Sequence, residues 1–134
     1  MIKKILIGII LLNLSGCTLY NAIMMTGFDG NEYQLITQIR ADAAYFSNQC
    51  GTSTASANAT QIARETDLFE KYSEQIPHNE DSYKASKSLN ILAQELDERY
   101  KKNTSVSNAY CKLKYSGIEN SAKLLQHVLG NRPR

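Results

Sequence analysis

Four amphipathic segments and no strand predict an all-α chain folded as an up-down-up-down four-helix bundle. Three observations carry that expectation. Apolar residues recur at spacings of three and four in four separate stretches. No alternating run of Val, Ile or Thr is bounded by hairpin turns. Cys50 and Cys111 fall where such a bundle brings the end of its first helix and the start of its last to one pole.

In the first stretch, Tyr33, Ile36, Ile39, Ala43, Phe46 and Cys50 share one helix face. Asp29 or Asn31 is placed to cap its start, and Gly51 to stop it. In the second, Ala55, Ala59, Ile62, Phe69, Tyr72 and Ile76 make the stripe, Thr66 fills its gap, and Pro77 ends the helix. In the third, Ala85, Leu89, Leu92, Leu96 and Tyr100 line a face, with Asn79 or Asp81 as cap. Glu95 with Arg99, Asp97 with Lys101 and Glu98 with Lys102 have the favourable i,i+4 order, each pair contributing about 0.2–0.5 kcal/mol. In the fourth, the stripe reads Val106, Tyr110, Leu113, Ile118, Ala122, Leu125 and Val128 or Leu129, closed by Gly130 and Pro133. Four helices of similar length with short joins favour antiparallel neighbours.

The N-terminus is of a different kind. Lys3 and Lys4 precede an apolar run from Ile5 to Leu14, interrupted only by Gly8 and Asn13. Those ten residues are half of the roughly 20 that a membrane span needs. A basic start, a short apolar core and small residues form a signal peptide. The tetrapeptide Leu14-Ser15-Gly16-Cys17 resembles a bacterial lipobox, where a lipoprotein precursor is acylated on Cys and cut just before it. The resemblance covers residues 1–17 and implies a mature chain of 118 residues held by several acyl chains on Cys17. In Gram-negative lipoproteins an Asp after the Cys tends to retain the protein at the inner membrane, so Thr18 implies the outer membrane, periplasmic face.

Export makes a disulfide permissible. With Cys17 assigned to lipid, Cys50 and Cys111 have a single intramolecular pairing, linking helix 1 to helix 4. A disulfide needs Cα atoms within about 7 Å, which neighbouring first and last helices supply. No Cys-x-x-Cys occurs.

Charge is unevenly spread. Asp29 to Glu98 carries twelve acids against five bases. Arg99 to Arg134 carries one acid, Glu119, against eight bases: Arg99, Lys101, Lys102, Lys112, Lys114, Lys123, Arg132 and Arg134. The plain expectation is that the basic end packs beside acidic helices of its own bundle. The functional alternative is a face for an anionic glycan, phosphate-rich lipid or an acidic partner. Nucleic acid is excluded as a partner class by export and by the lack of a binding motif.

The chain reads as a non-enzyme with no cofactor. Metalloprotease, nucleophile-elbow and phosphate-loop motifs are missing. His78 follows Pro77 in a loop, and His127 lies beside the fourth stripe. Met24 or Met25 with His127 offers a haem ligand set at one pole, resembling a helical-bundle cytochrome. Gly27 to Gly30 should break any helix carrying those methionines, and Cys-x-x-Cys-His is missing. Asn58-Ala-Thr60 and Asn103-Thr-Ser105 match a glycosylation sequon, which a bacterial lipoprotein does not use. Tyr45, Tyr83 and Tyr115 fall off the stripes and are the aromatic candidates for partner contact.

The expected organisation is a signal peptide over 1–16, a lipidated tether over 17–30, a helical bundle over 31–130 and a basic tail over 131–134. The expected role is non-catalytic binding or occlusion of an envelope protein or glycan. Two kinds of phage lipoprotein resemble this build: outer-membrane spanin subunits, which act in lysis, and superinfection-exclusion lipoproteins. Many spanin subunits are short and proline-rich, whereas this mature chain holds a full domain and two prolines, Pro77 and Pro133.

Overall fold

A computed structural model describes residues 26–102 and 105–134 of the 134-residue chain. The signal peptide, Cys17, Thr18, Met24, Met25 and Asn103 lie outside the described residues. The chain forms four antiparallel helices: α1 (Gly30–Ser47), α2 (Ala55–Gln75), α3 (Glu80–Lys101) and α4 (Asn108–Gly130). The described residues contain no strand. Helix α1 packs most extensively on α4, and α2 on α3; α1 on α2 and α3 on α4 make slimmer contacts. This is the up-down-up-down bundle expected from the sequence. None of its helices is long and apolar enough to cross a membrane, among the described residues.

Local chemistry explains where the helices begin. Asp29 adopts an extended backbone, and its carboxylate accepts the Glu32 N–H at 2.8 Å, a cap contributing about 1 kcal/mol. Ser107 does the same for α4, accepting from the Tyr110 N–H at 3.1 Å. Gly51 follows α1 with φ at +83°, and a Cβ there would come within 2.5 Å of the Asn108 side chain. Only glycine satisfies both the left-handed backbone and the close approach.

The core is a single cluster. Ile36, Ile39 and Phe46 from α1 meet Ile62 and Phe69 from α2, Leu89 and Leu96 from α3, and Ile118 and Leu129 from α4. The first stripe is as the sequence reads, with one addition: Glu32 is buried beside Ile36. The fourth is as expected from Ile118 to Leu129 and rephased in its first half. Its buried positions are Cys111, Tyr115, Ile118, Ala122, Leu125 and Leu129. Leu113 is 71 % exposed and Val128 is 50 % exposed. Tyr115, expected outside, is buried edge-on to Phe46 with ring centroids 6.0 Å apart. Its hydroxyl has no hydrogen-bond partner among the described residues. Burial pushes that hydroxyl well above its ordinary pKa, with the neighbouring Tyr100 and Asp97 adding to the shift. Tyr45 is exposed and Tyr83 half-buried.

Beside the apolar core residues, polar contacts cross the α2–α3 interface. Thr60 donates to Asp97 at 2.7 Å, and the Gln94 amide donates to the Ala63 carbonyl at 3.1 Å. Thr66 donates to Asn90 at 3.0 Å, and Asn90 in turn donates to Glu70 at 2.6 Å. Each contact satisfies groups that would otherwise be stranded between the helices.

The residues flanking the bundle are part of it. Phe28 N–H donates to the Pro133 carbonyl at 2.8 Å, and the Thr26 hydroxyl donates to the carbonyls of Pro77 and His78, the former at 3.0 Å. Residues 26–30, expected to belong to the tether, and 131–134, expected to be a tail, thus sit on the pole formed by the α2–α3 turn. That pole is called the latch pole below.

At the opposite pole, the Cys50–Cys111 disulfide links the end of α1 to the start of α4, with Cα atoms 5.9 Å apart. Its 61-residue separation gives an entropic stabilisation of about 4 kcal/mol in the chain-entropy account. Cys50→Ser is expected to lower the unfolding free energy by up to about 4 kcal/mol. Urea titration checks this, and an unchanged midpoint would show that the crosslink contributes nothing.

Candidate functional site

A buried polar constellation lies inside the latch pole. Glu32, in the first turn of α1, is 1 % exposed. One carboxylate oxygen accepts from the Ser73 hydroxyl and the Asn79 amide, each at 2.8 Å. The other accepts from the Arg132 guanidinium at 2.7 Å. The second Arg132 nitrogen donates to the Asn79 side-chain carbonyl and the Ser82 hydroxyl. Asn79 also donates to the Ser73 carbonyl at 3.0 Å. Five residues from four places in the chain therefore satisfy one another around a carboxylate–guanidinium pair.

The sequence explains how each arrives. Asp29 and Glu32 have capping-box spacing, but the Glu32 side chain turns inward instead of back to the cap. Asn79 occupies the cap position of α3 with no side-chain bond to that helix, because its side-chain carbonyl, the group that would accept a helix N–H, accepts from Arg132 instead. Arg132 is brought back over the core by the turn after Gly130; the Arg132 N–H donates to the Leu129 carbonyl at 3.4 Å. A second ring of contacts surrounds the pair. Tyr72 donates to the Asp29 carboxylate at 3.1 Å, and the Arg134 guanidinium stands 4.9 Å from the centre of the Phe28 ring.

The eight bases singled out in the sequence do not form one surface. Arg132 is inside the latch, with its side chain 7 % exposed, so it is corrected from surface-binding candidate to internal partner. Lys101 pairs with Asp97, Lys102 with Glu98 at 3.4 Å, and Lys114 with Glu95 on the neighbouring helix. The guanidinium of Arg99 lies 4.7 Å from the Tyr110 ring centre, and the Lys114 ammonium 5.7 Å. Arg99, Lys102 and Tyr110 line a shallow cleft of about 310 Å³, but Glu95 and Glu98 line it too, which leaves its charge mixed. Arg134 is spread over Phe28. Lys112 and Lys123 are exposed on α4. The basic end is thus largely matched by the acids of its own bundle.

His127 is exposed in the last turn of α4, where Asn131 donates to its backbone carbonyl at 2.7 Å. His78 is exposed in the α2–α3 turn with φ at +58°.

Two features escaped the sequence. One is Glu65 on α2, which lies against Asp42 of α1. Burial chiefly, with the Asp42 carboxylate adding to it, raises its pKa from 4.5 to about 7, against the opposing hydrogen bond from Gln61. One Glu65 oxygen is buried without a hydrogen-bond partner among the described residues. The other feature is an apolar groove of about 430 Å³ between α3 and α4. Ala85, Ser88 and Leu92 of α3 and Ser121, Leu124 and Val128 of α4 line it. Leu124 is 67 % exposed there.

Breaking the latch from one side should cost far more than removing it whole. Arg132→Met strands the buried Glu32 carboxylate and is expected to destabilise the bundle by about 3–5 kcal/mol. The double variant Glu32→Met with Arg132→Met should be less destabilised than the sum of the two single changes, as a double-mutant cycle in urea would read.

Glu65 gives the bundle a pH dependence of known sign. Its folded pKa lies above its unfolded one, so the folded state takes up a proton between pH 4.5 and about 7. Stability contributed by the protonated form is therefore present below pH 4.5 and lost as pH rises through about 7. Glu65→Gln should stabilise the bundle above pH 7 and leave it unchanged at acid pH. Equal midpoint shifts at both would contradict that assignment.

Compared with known proteins, the chain matches no family model, no curated protein and no solved structure.

Proposed function

We propose that this chain is a lipid-anchored envelope protein, acylated at Cys17 on the periplasmic face of the outer membrane, whose bundle is a non-catalytic binding or occluding module. The observation that carries the reading is the sequence Leu14-Ser15-Gly16-Cys17 behind a basic start and a ten-residue apolar run. The disulfide supports it, since such bonds persist in exported proteins and are rare in reducing compartments.

The geometry supports a binding module. Thr26 is fixed at the latch pole, so an anchor at Cys17 attaches to that pole through residues 17–25. Nine residues reach at most about 30 Å. The bundle extends away from the anchor by the length of its helices, about 33 Å for the 22 residues of α3. The exposed Leu113, Tyr45 and Lys112 lie in the half of the molecule far from the anchor. The polar groups of the latch are consumed by one another, which leaves the pole a structural joint.

The test is expression of the full chain in a Gram-negative host. The native chain should fractionate with outer membranes, and Cys17→Ser should release it. Retention of Cys17→Ser in the membrane would overturn the lipid anchor. A photo-crosslinker at Tyr45 or Leu113 should then capture one envelope component. An inner-membrane protein would indicate a spanin-like role, a receptor an exclusion role, and a glycan a structural one.

A further inference from the structure

We propose that the α3–α4 groove is the docking site of this chain's own apolar segment Leu19–Met25. The groove is a consequence of α4 carrying two apolar faces. Ile118, Ala122, Leu125 and Leu129 face the core, whereas Leu124 and Val128 lie outside it, 67 % and 50 % exposed. On α3, Ala85 and Leu92 are likewise only partly buried, to one side of Leu89 and Leu96. The slim α3–α4 contact leaves these residues facing a shared cleft that nothing in the bundle fills.

Its position selects the occupant. The groove begins at Asp81 and Ser82 in the first turn of α3. Thr26 is bonded to the carbonyls of Pro77 and His78, immediately before that turn. The chain preceding Thr26 therefore starts at the groove's mouth. From Asp81 to Leu92 the groove runs along eleven residues of helix, about 16 Å. Residues 19–25 extend to about 23–25 Å, so their reach exceeds the groove. Leu19, Tyr20, Ala22, Ile23, Met24 and Met25 are apolar, and the segment carries no charge. Methionine side chains adapt to irregular apolar clefts.

Energetics separate this occupant from the others. An acyl chain already in a bilayer gains little from a second apolar environment, whereas Leu19–Met25 held in water gains by burial. A second copy would compete with a segment tethered at the groove's mouth, whose effective concentration is of millimolar order. The docking needs residues 19–25 alone and stands whether or not Cys17 carries lipid. Where it does, docking draws the latch pole toward the membrane, and release lets the bundle reach outward.

The experiment uses the full chain expressed in the periplasm with one added cysteine pair, Ala22→Cys with Ser121→Cys, resolved on non-reducing gels and mapped by peptide. An intramolecular bond is expected, at greater yield than for Ala22→Cys with Lys112→Cys at the far end of α4. Adding Leu124→Asp places a charge in the groove and should reduce the bond roughly tenfold. It should lower the melting temperature of the bundle only by the docking it removes, because Leu124 lies outside the core and the fold itself stays intact. Equal yields in the two pairs, no bond at Ser121, a bond between two copies, or a yield indifferent to Leu124→Asp would each overturn the proposal. Fractionation of the same cells reads the anchor separately: a soluble chain that still forms the bond would sink the lipid reading and keep the docking.

Discussion

The Glu32–Arg132 pair is the constraint on which the latch pole depends. It joins the first turn of α1 to the second residue after α4, a hundred positions apart in sequence. A carboxylate and a guanidinium taken out of water are costly unless every remaining lone pair and proton is satisfied. Here Ser73, Asn79 and Ser82 supply those partners. Two come from α2 and α3, and Asn79 from the turn between them. The requirement to satisfy one ion pair thereby fixes the relative height of all four helices and the path of the chain on both sides of the bundle.

The consequence is a molecule closed at both poles by different chemistry. At one, a covalent bond ties α1 to α4. At the other, a charge pair ties the same two helices and adds the α2–α3 turn. The α1–α4 pair is held twice, and the α2–α3 pair rests on a polar ladder running from Thr60 and Asp97 to Asn90 and Glu70. The slim α1–α2 and α3–α4 contacts are where the two halves meet. Glu65 lies in the first, and the apolar groove opens in the second.

Much of the architecture was legible in the sequence because apolar periodicity reports burial when the buried residues are apolar. That holds for α1, whose stripe from Ile36 to Phe46 is the stripe observed. It holds in part in α3, where Leu89 and Leu96 are buried as expected, but Ser82, Ser86, Asn90 and Asp97 are buried too and Ala85 and Leu92 only partly so. A hydrophobic scan finds the apolar part of the inner face and misses the polar part, because those polar groups are satisfied across the interface. In α4 the confusion is of another kind: two apolar faces overlap, and the pattern through Leu113 merges them, so Tyr115 reads as outside. Arg132 was legible as a base but not as a buried one, since nothing local marks a residue near a chain end as the partner of a carboxylate at the other. Cys50 and Cys111 were legible because topology alone brings them to one pole.

The disulfide also sets how the molecule bears tension. Suppose the N-terminal end is held and α4 is pulled. Once the latch yields, force runs from residue 26 along α1 to Cys50, crosses the sulfur bridge to Cys111 and continues into α4. Helices α2 and α3 lie within the 61-residue bridged interval and carry none of it. Half of the bundle is mechanically shielded by one covalent bond, and the extension available on the N-terminal side is limited to the length of α1 and its flanks.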